Sequence, residues 1–588
     1  MSRSTYWFLI LHPNYIDMVL LVELPTEVIL RILTYVFIPD IFSVQLISRF
    51  FQTLVSDSIN LRYQILLQAS GMLDNPRTDL PVRSRYEMLK EREKAWFLVQ
   101  PRFTKTIPVD HPTVEINGPW RSIYLISDDT RRVIDSIALP SNASDPVSSW
   151  KRLRIEDLDS HEGHTRRKIL DFGVAEDLDL LAIITSDTPD DIRTIRVNWI
   201  QHSTSRIHPR AGPAMSLTFD DPFVCAGVDI VGSLVAVTLQ SHQRGRPGNR
   251  VMVLDWTKGA TVAEFRSSLC RYINARFIAQ DVLLVPNSGD SSIELWIIPT
   301  SDSDLSQPSL KTTPDLALNL PSIRADVMVE EFACRGAPSP SMESSPSQRA
   351  FSSDPEHSIL IFHLFVRVQF VQRPVPVVFF ARRKMFMELL RTYDGLPPSE
   401  REQARAGEHT NVLPLHVIPW IFWGPTNTRF FCQTTDADWI TTSGQRYVFF
   451  DHRGEGFPLV IFDFNENTVK RVRDAVHKAR TQDPPGHSLH IPLLDVSAPF
   501  LSQGPGGMER PRIGWSWRFS EKLPWNNRLL ERIFAEPVHG SLPYVMSCSE
   551  VDYDFDGVMM DDERILGVRR GDFSASGGVD RLEAMWFG

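Results

Sequence analysis

Asp552-Tyr553-Asp554-Phe555-Asp556-Gly557, with Glu563 beyond it, has the spacing best suited to chemistry in this chain. Carboxylates stand at the first, third, fifth and twelfth positions and glycine at the sixth, the donor set of a calcium-binding loop. The flanks argue otherwise. Leu542-Pro543-Tyr544-Val545-Met546 and Ile565-Leu566-Gly567-Val568 read as strands, whereas such a loop needs a helix on each side. An acidic hairpin loop without metal is the expectation. His161 and His164 form H-x-x-H with no third ligand at a useful spacing, and Arg166-Arg167-Lys168 mark a solvated loop. Gly504-Pro505-Gly506-Gly507 lacks the Lys and Ser or Thr of a phosphate loop and reads as a turn. Lys470, Arg471, Arg473, Lys478 and Arg480 fall on an expected helix from Glu466 to Arg480, as a solvated charged face. The five cysteines, Cys225, Cys270, Cys334, Cys432 and Cys548, are single and scattered. That pattern suits a reducing compartment and offers no disulfide framework and no cysteine-based zinc site. With no nucleophile elbow and no paired-carboxylate signature, the chain is expected to be non-catalytic, with no catalytic residues, metal or cofactor.

The elements that carry these residues belong to a long chain of 588 residues, 42% hydrophobic and 23% charged, a globular composition. Its formal net charge of -10 argues against a general grip on nucleic acid or an anionic membrane, which needs clustered Lys and Arg. Two apolar runs open the sequence, Tyr6 to Leu11 and Tyr15 to Val22, but His12-Pro13-Asn14 and Asp17 interrupt them. Neither has the length of a membrane span. Residues 1–21 are therefore expected to form an N-terminal extension, and the protein to be cytoplasmic or nuclear.

Residues 22–66 pack four short helix signals into a segment too small for a substantial core of its own. Pro25 suits a first helical position and Glu27 the first turn, where the helix dipole favours a negative charge. Val28, Ile29, Ile32, Leu33 and Val36 recur at helical spacing. Pro39-Asp40 starts a second helix, and Ser48 caps a third that carries Phe51, Leu54 and Val55. Asp57 or Ser58 opens a fourth through Ile59, Tyr63 and Leu66, and Gly71 stops it.

Leu24-Pro25-Thr26-Glu27-Val28, Ile32-Leu33, Asp40-Ile41 and Ile47-Ser48-Arg49 together resemble the F-box, the adaptor-binding module of cullin-type ubiquitin ligases. The resemblance runs from Val22 to about Tyr63. Phe51 stands where the family usually has Trp, and the closing Leu-Trp reads Leu61-Arg62. The resemblance implies that Leu24, Pro25, Val28, Ile32 and Ile41 contact a Skp-type adaptor. It also implies that the rest of the chain captures a protein substrate for ubiquitination; the alternative is an interaction scaffold without ubiquitin transfer. Trp420-Ile421-Phe422-Trp423-Gly424-Pro425, Thr428-Arg429 and Leu542-Pro543-Tyr544-Val545 are similar to blocks in the long F-box proteins expanded in higher fungi. Physically, those Trp residues read as core packing.

Residues 67–110 are expected to be a helical linker, with one amphipathic helix from Arg83 to Val99. From residue 111 the pattern changes to short strands. Leu178–Thr185 leads to a strand ending at Trp199, Val231–Leu239 to one ending at Trp256, and Val282–Val285 to one ending at Trp296. Irregular repeats of this kind point to the blades of a β-propeller, with a large β-sandwich or two smaller β domains as the alternative. The expected fold is thus α+β and multidomain: the small all-α module, then a large, mostly-β, propeller-like region in two parts, 111–335 and 356–588. Residues 336–355, rich in Ser and Pro, are expected to be a disordered loop whose deletion costs little stability.

Overall fold

The computed structural model describes residues 24–36, 38–110, 113–120, 122–158, 167–189, 192–241, 249–266, 272–299, 309–337, 349–369, 374–394, 417–431, 441–450, 458–482, 527–538, 540–571 and 578–588. The expected extension at 1–21, the His161/His164 pair and Gly504–Gly507 lie outside them.

Four helices open the described chain: α1 (Thr26–Leu33), α2 (Ile38–Ile47), α3 (Arg49–Asp57) and α4 (Ile59–Ser70). Their ends are where side-chain chemistry puts them. Ser48 Oγ accepts the Phe51 N–H and Ser58 Oγ the Leu61 N–H, each at 3.4 Å, satisfying donors that the first turn leaves free. Gly71 closes α4 at φ +64, a left-handed conformation that costs a residue with a Cβ about 1–2 kcal/mol. A Cβ there would also stand 2.0 Å from Gln445 Nε2. Gly71→Ala is therefore expected to lower stability by about 1–3 kcal/mol, read as a drop in the thermal midpoint. Ile29, Leu33, Ile41, Phe51, Leu54, Val55, Leu61 and Ile65 form the small core of the bundle. Helix α5 (Val82–Leu98) follows and packs on α4.

The remainder is mostly β, arranged as successive antiparallel meanders. Unit 1 is Thr113–Trp120, Ile123–Asp128, Val133–Ala138 and Lys151–Arg154. Units 2 and 3 share one long strand, Met215–Val231, whose first part ends Lys168–Ala175, Leu180–Ser186 and Ile192–Gln201. Its second part begins Leu234–Ser241, Arg250–Asp255 and Ala260–Phe265. Unit 4 is Arg276–Ala279, Val282–Asn287, Ser292–Ile297 and Leu316–Asn319. Unit 5 is Val327–Gly336, Ile359–Val368, Val375–Arg382 and Thr428–Phe431. Unit 6 is Thr442–Ser443, Arg446–Phe450, Pro458–Asp463 and Val545–Asp552. Unit 7 is Gly557–Met560, Arg564–Arg570 and Val579–Trp586, with Phe103–Pro108 added at its outer edge.

Among the described residues, the larger hydrophobic cores of the β region lie between two neighbouring units rather than within one. Leu125 and Ile134 pack with Phe172 and Ile183 between units 1 and 2. Trp199 and Trp256 lie between units 2 and 3, Phe265 and Trp296 between 3 and 4, Leu295 and Phe362 between 4 and 5. Tyr447 meets Phe380 between units 5 and 6, and Ile461 meets Met560 between 6 and 7. The last unit then packs on the first, Leu566 and Val568 against Tyr124 and Ile126, so the succession of cores closes into a cycle. This explains the continuous apolar runs of the middle strands: Leu180–Ser186 and Val282–Asn287 are buried throughout, because both faces are covered.

Trp199 and Trp296 lie on the third strands of units 2 and 4, Trp256 directly follows the third strand of unit 3, and all three indoles are buried. Two boundaries are corrected. The 67–110 segment is not only a helical linker, since Met72–Asp74 is a strand and Phe103–Pro108 belongs to the ring. Within 336–355, Phe351–Ser353 is an ordered strand paired antiparallel with Met72–Asp74, because Phe351 finds an apolar seat beside α4 and α5. Deletion through residue 355 would remove that pairing, which reverses the expectation of a small cost.

Candidate functional site

Among the described residues, the surface with the largest uncovered apolar side chains in close succession is on α1, α2 and α3. Val28, Ile32 and Tyr35 recur along one side of α1 and the turn after it, exposed at 42%, 39% and 80%. Phe42, Leu46, Ile47 and Phe50 continue on α2 and α3, with Leu46 and Ile47 exposed at 89% and 73%. The bundle is thin enough that its own core uses only the opposite flanks.

Of the residues expected to meet an adaptor, Pro25, Val28 and Ile32 are exposed and Leu24 is half-buried at the edge of the core. Ile41 is corrected: at 1% exposure it is a core residue, packed with Ile29, Leu33 and Phe51. Sequence reasoning missed Tyr35, Phe42, Leu46, Ile47 and Phe50. The signal was present in the apolar character of both flanks of α2, only one of which can face inward.

The two departures from the family pattern have structural roles here. Phe51 fills the bundle core. Arg62 lies over the Tyr86 ring at 4.7 Å and donates to its hydroxyl at 2.8 Å, tying α4 to α5. Beside it Arg85 holds the Asp74 carboxylate at 2.5 and 2.7 Å, and Tyr63 donates to Asp74 at 2.7 Å.

Helix α5 joins the bundle to the ring through a buried ionic cluster. Trp96 stacks on Phe587 with centroids 4.2 Å apart. Arg92 donates to the Glu93 carboxylate and, at 2.5 Å, to the Asp562 carbonyl. Glu93 also accepts from Arg446, whose guanidinium lies over the Trp96 ring and 3.5 Å from Asp463. Burial would push the Glu93 carboxyl up, but Arg446 and Arg92 beside it hold it below its ordinary value. Arg471 belongs to this cluster, facing Glu93 and Asp463, rather than to a solvated face; Lys470 and Arg473 are exposed as expected.

The calcium-like spacing does not assemble. Asp552 ends one strand and Glu563 follows another, with Gly557–Met560 between them. Asp554 pairs with Arg569 at 2.5 Å, Asp556 accepts the Arg570 N–H at 2.6 Å, and Glu563 pairs with Arg564 at 2.9 Å. No group of three or more His, Cys, Asp or Glu is placed to hold a metal among the described residues. Burial pushes the Cys334 thiol up to about 12, the wrong direction for a nucleophile.

No protein-family profile matches the sequence, and no curated protein matches it. Among solved structures, the chain is similar to Kluyveromyces lactis Hsv2p at 15% identity, over 47% of this chain and 69% of that one, with a TM-score of 0.25. It is similar to the WD40 domain of SCAP from fission yeast at 10% identity, over 61% and 83%, with a TM-score of 0.31. Hydrazine synthase of Kuenenia stuttgartiensis matches at 11% identity, over 64% and 82%, with a TM-score of 0.28. The architecture rests on the strand pairing and on the cores between units, and no helix among the described residues is long and apolar enough to cross a membrane.

Proposed function

We propose that this chain is a non-catalytic substrate receptor of a cullin-type ubiquitin ligase: an F-box-like module on α1–α4 docks on a Skp-type adaptor, and the ring captures a protein target. The observation that carries this reading is the uncovered apolar surface of α1–α3, a face whose burial a partner would complete. We read the seven units as the blades of a β-propeller closed by Phe103–Pro108, which supplies a rigid body on which loops can present a binding surface. Ubiquitin transfer would then be accelerated by proximity, the receptor holding its target near a carrier bound elsewhere in the complex. A cytoplasmic or nuclear site of action goes with this role.

The test is capture of purified Skp-type adaptor by the full-length chain and by an Ile32→Asp, Leu46→Asp variant. Each substitution places a charge at the centre of the docking face, and the pair is expected to weaken binding by on the order of 100-fold or more while the ring's thermal transition is unchanged. Undiminished binding by the variant would remove the docking assignment. Adaptor binding without ubiquitination of any co-purifying target would favour a scaffold.

A further inference from the structure

We propose that Arg349–Asp354 is a latch that fastens the helices α1–α4 to the ring, so that the two move as one body. The segment leaves unit 5 between its first two strands, yet its contacts lie elsewhere. On the helical side, Phe351–Ser353 pairs with Met72–Asp74. Asn75 donates to the Arg349 carbonyl at 2.6 Å from its side chain and to the Ala350 carbonyl at 3.0 Å from its backbone. The Asp354 N–H reaches the Gly71 carbonyl at 2.9 Å, and Phe351 packs against the cluster of Tyr63, Leu66, Leu67, Tyr86 and Leu89.

On the ring side, one carboxylate gathers the contacts. Asp562, in the turn between the first two strands of unit 7, accepts the Ser353 hydroxyl at 2.8 Å and its N–H at 3.3 Å. The same carboxylate accepts the Ser443 hydroxyl of unit 6 at 2.5 Å. Arg349 reaches Glu563 at 3.4 Å. Asp562 is thus the point where the latch, unit 6 and unit 7 meet, with Arg92 of α5 beside it.

A three-residue strand pair is too short to persist alone, so the latch depends on the Phe351 seat and on Asp562. Helix α5 is held independently by Trp96 and the Glu93 cluster. Residues 75–81 connect Met72–Asp74 to α5, and Asn75 at their start is held by the latch. Opening it leaves α5 seated and α4 still packed on it through Tyr63, Leu66, Tyr86 and Leu89, but removes the strand pair and the Asp562 contacts that fix the angle of α1–α4 against units 6 and 7.

The proposal is independent of adaptor binding, and its test uses none. Spin labels on unnatural residues at Arg31 of α1 and Thr204 of unit 2, both exposed, report the distance between helices and ring in the full-length protein. The unaltered chain is expected to give one narrow distribution. Phe351→Ser with Asn75→Ala is expected to widen it at least twofold while the ring's thermal midpoint stays within two degrees or so, as fits changes that do not touch the ring. Ser353→Ala, a milder change on the ring side, is expected to widen it less. Distributions that stay narrow in both variants would overturn the proposal, as would a ring that unfolds in step with opening of the latch in Ser353→Ala.

Discussion

Glu93→Ala is expected to lower the unfolding free energy by about 3–5 kcal/mol, the usual cost of stripping one partner from a buried ionic group. Glu93 is 5% exposed and accepts from both Arg92 and Arg446, with Arg471 close by. Its removal leaves three guanidinium groups sharing Asp463 and the more distant Asp562. Because its folded carboxyl is held below the unfolded value, the contribution of Glu93 is complete above the ordinary Glu range and is lost as pH falls through the lower folded value. Urea unfolding at neutral pH is the measurement. Arg446→Met in the Glu93→Ala background should recover part of the loss, since it removes a charge left without its carboxylate. Equal stabilities for Glu93→Ala and the unaltered chain would show that the cluster does not hold α5.

Acid should weaken the ring through His363. This residue sits on the second strand of unit 5, 2% exposed, and its Nε2 has no hydrogen-bond partner among the described residues. Burial pushes the imidazole down to about 3, and Arg335 nearby adds to the effect. An unfolded histidine titrates near 6.5, so between about 6.5 and 3 the unfolded chain binds a proton that the folded chain refuses. Stability from this source is intact above that window and falls as pH drops through it, by roughly 2 kcal/mol at pH 5 and roughly 4 kcal/mol at pH 3. The carboxyls of Asp229, Asp463, Asp561 and Glu294 are raised by burial and act in the opposite sense. Comparing the chain with His363→Leu at pH 7.5 and pH 5 isolates the imidazole. The expected result is a loss in the parent at pH 5 that the variant lacks; parallel losses in both would refute it.

Local chemistry was legible in the sequence wherever a single side chain decides a backbone conformation. Ser48, Ser58 and Gly71 bound their helices as their types require, and the tryptophan strands fall in the expected hairpins. What could not be read is which of two apolar flanks faces inward. In α2, Ile38 and Ile41 point to the core while Phe42 and Leu46 point out, and periodicity alone does not separate them. Contacts between residues far apart in sequence were hidden for a related reason. Phe351–Ser353 carries one apolar residue at the end of a stretch rich in Ser and Pro, and only its seat beside Met72–Asp74 makes it a strand. Arg471 looked like part of a charged face because its neighbours Lys470 and Arg473 are; Glu93 and Asp463, which draw it inward, come from other elements.

The pairing of Phe103–Pro108 with Val579–Trp586 also sets a timetable for synthesis. The first strand of that pair leaves the ribosome early and must wait for the last, a delay of roughly 25–100 s at ordinary elongation rates. Throughout that interval the ring stands open at unit 7, with the faces of units 1 and 6 that meet it uncovered. Helices α1–α4, made of near-neighbour contacts, are complete long before, so a nascent chain presents its helical surface while its β region is still an unfinished arc in need of protection from aggregation.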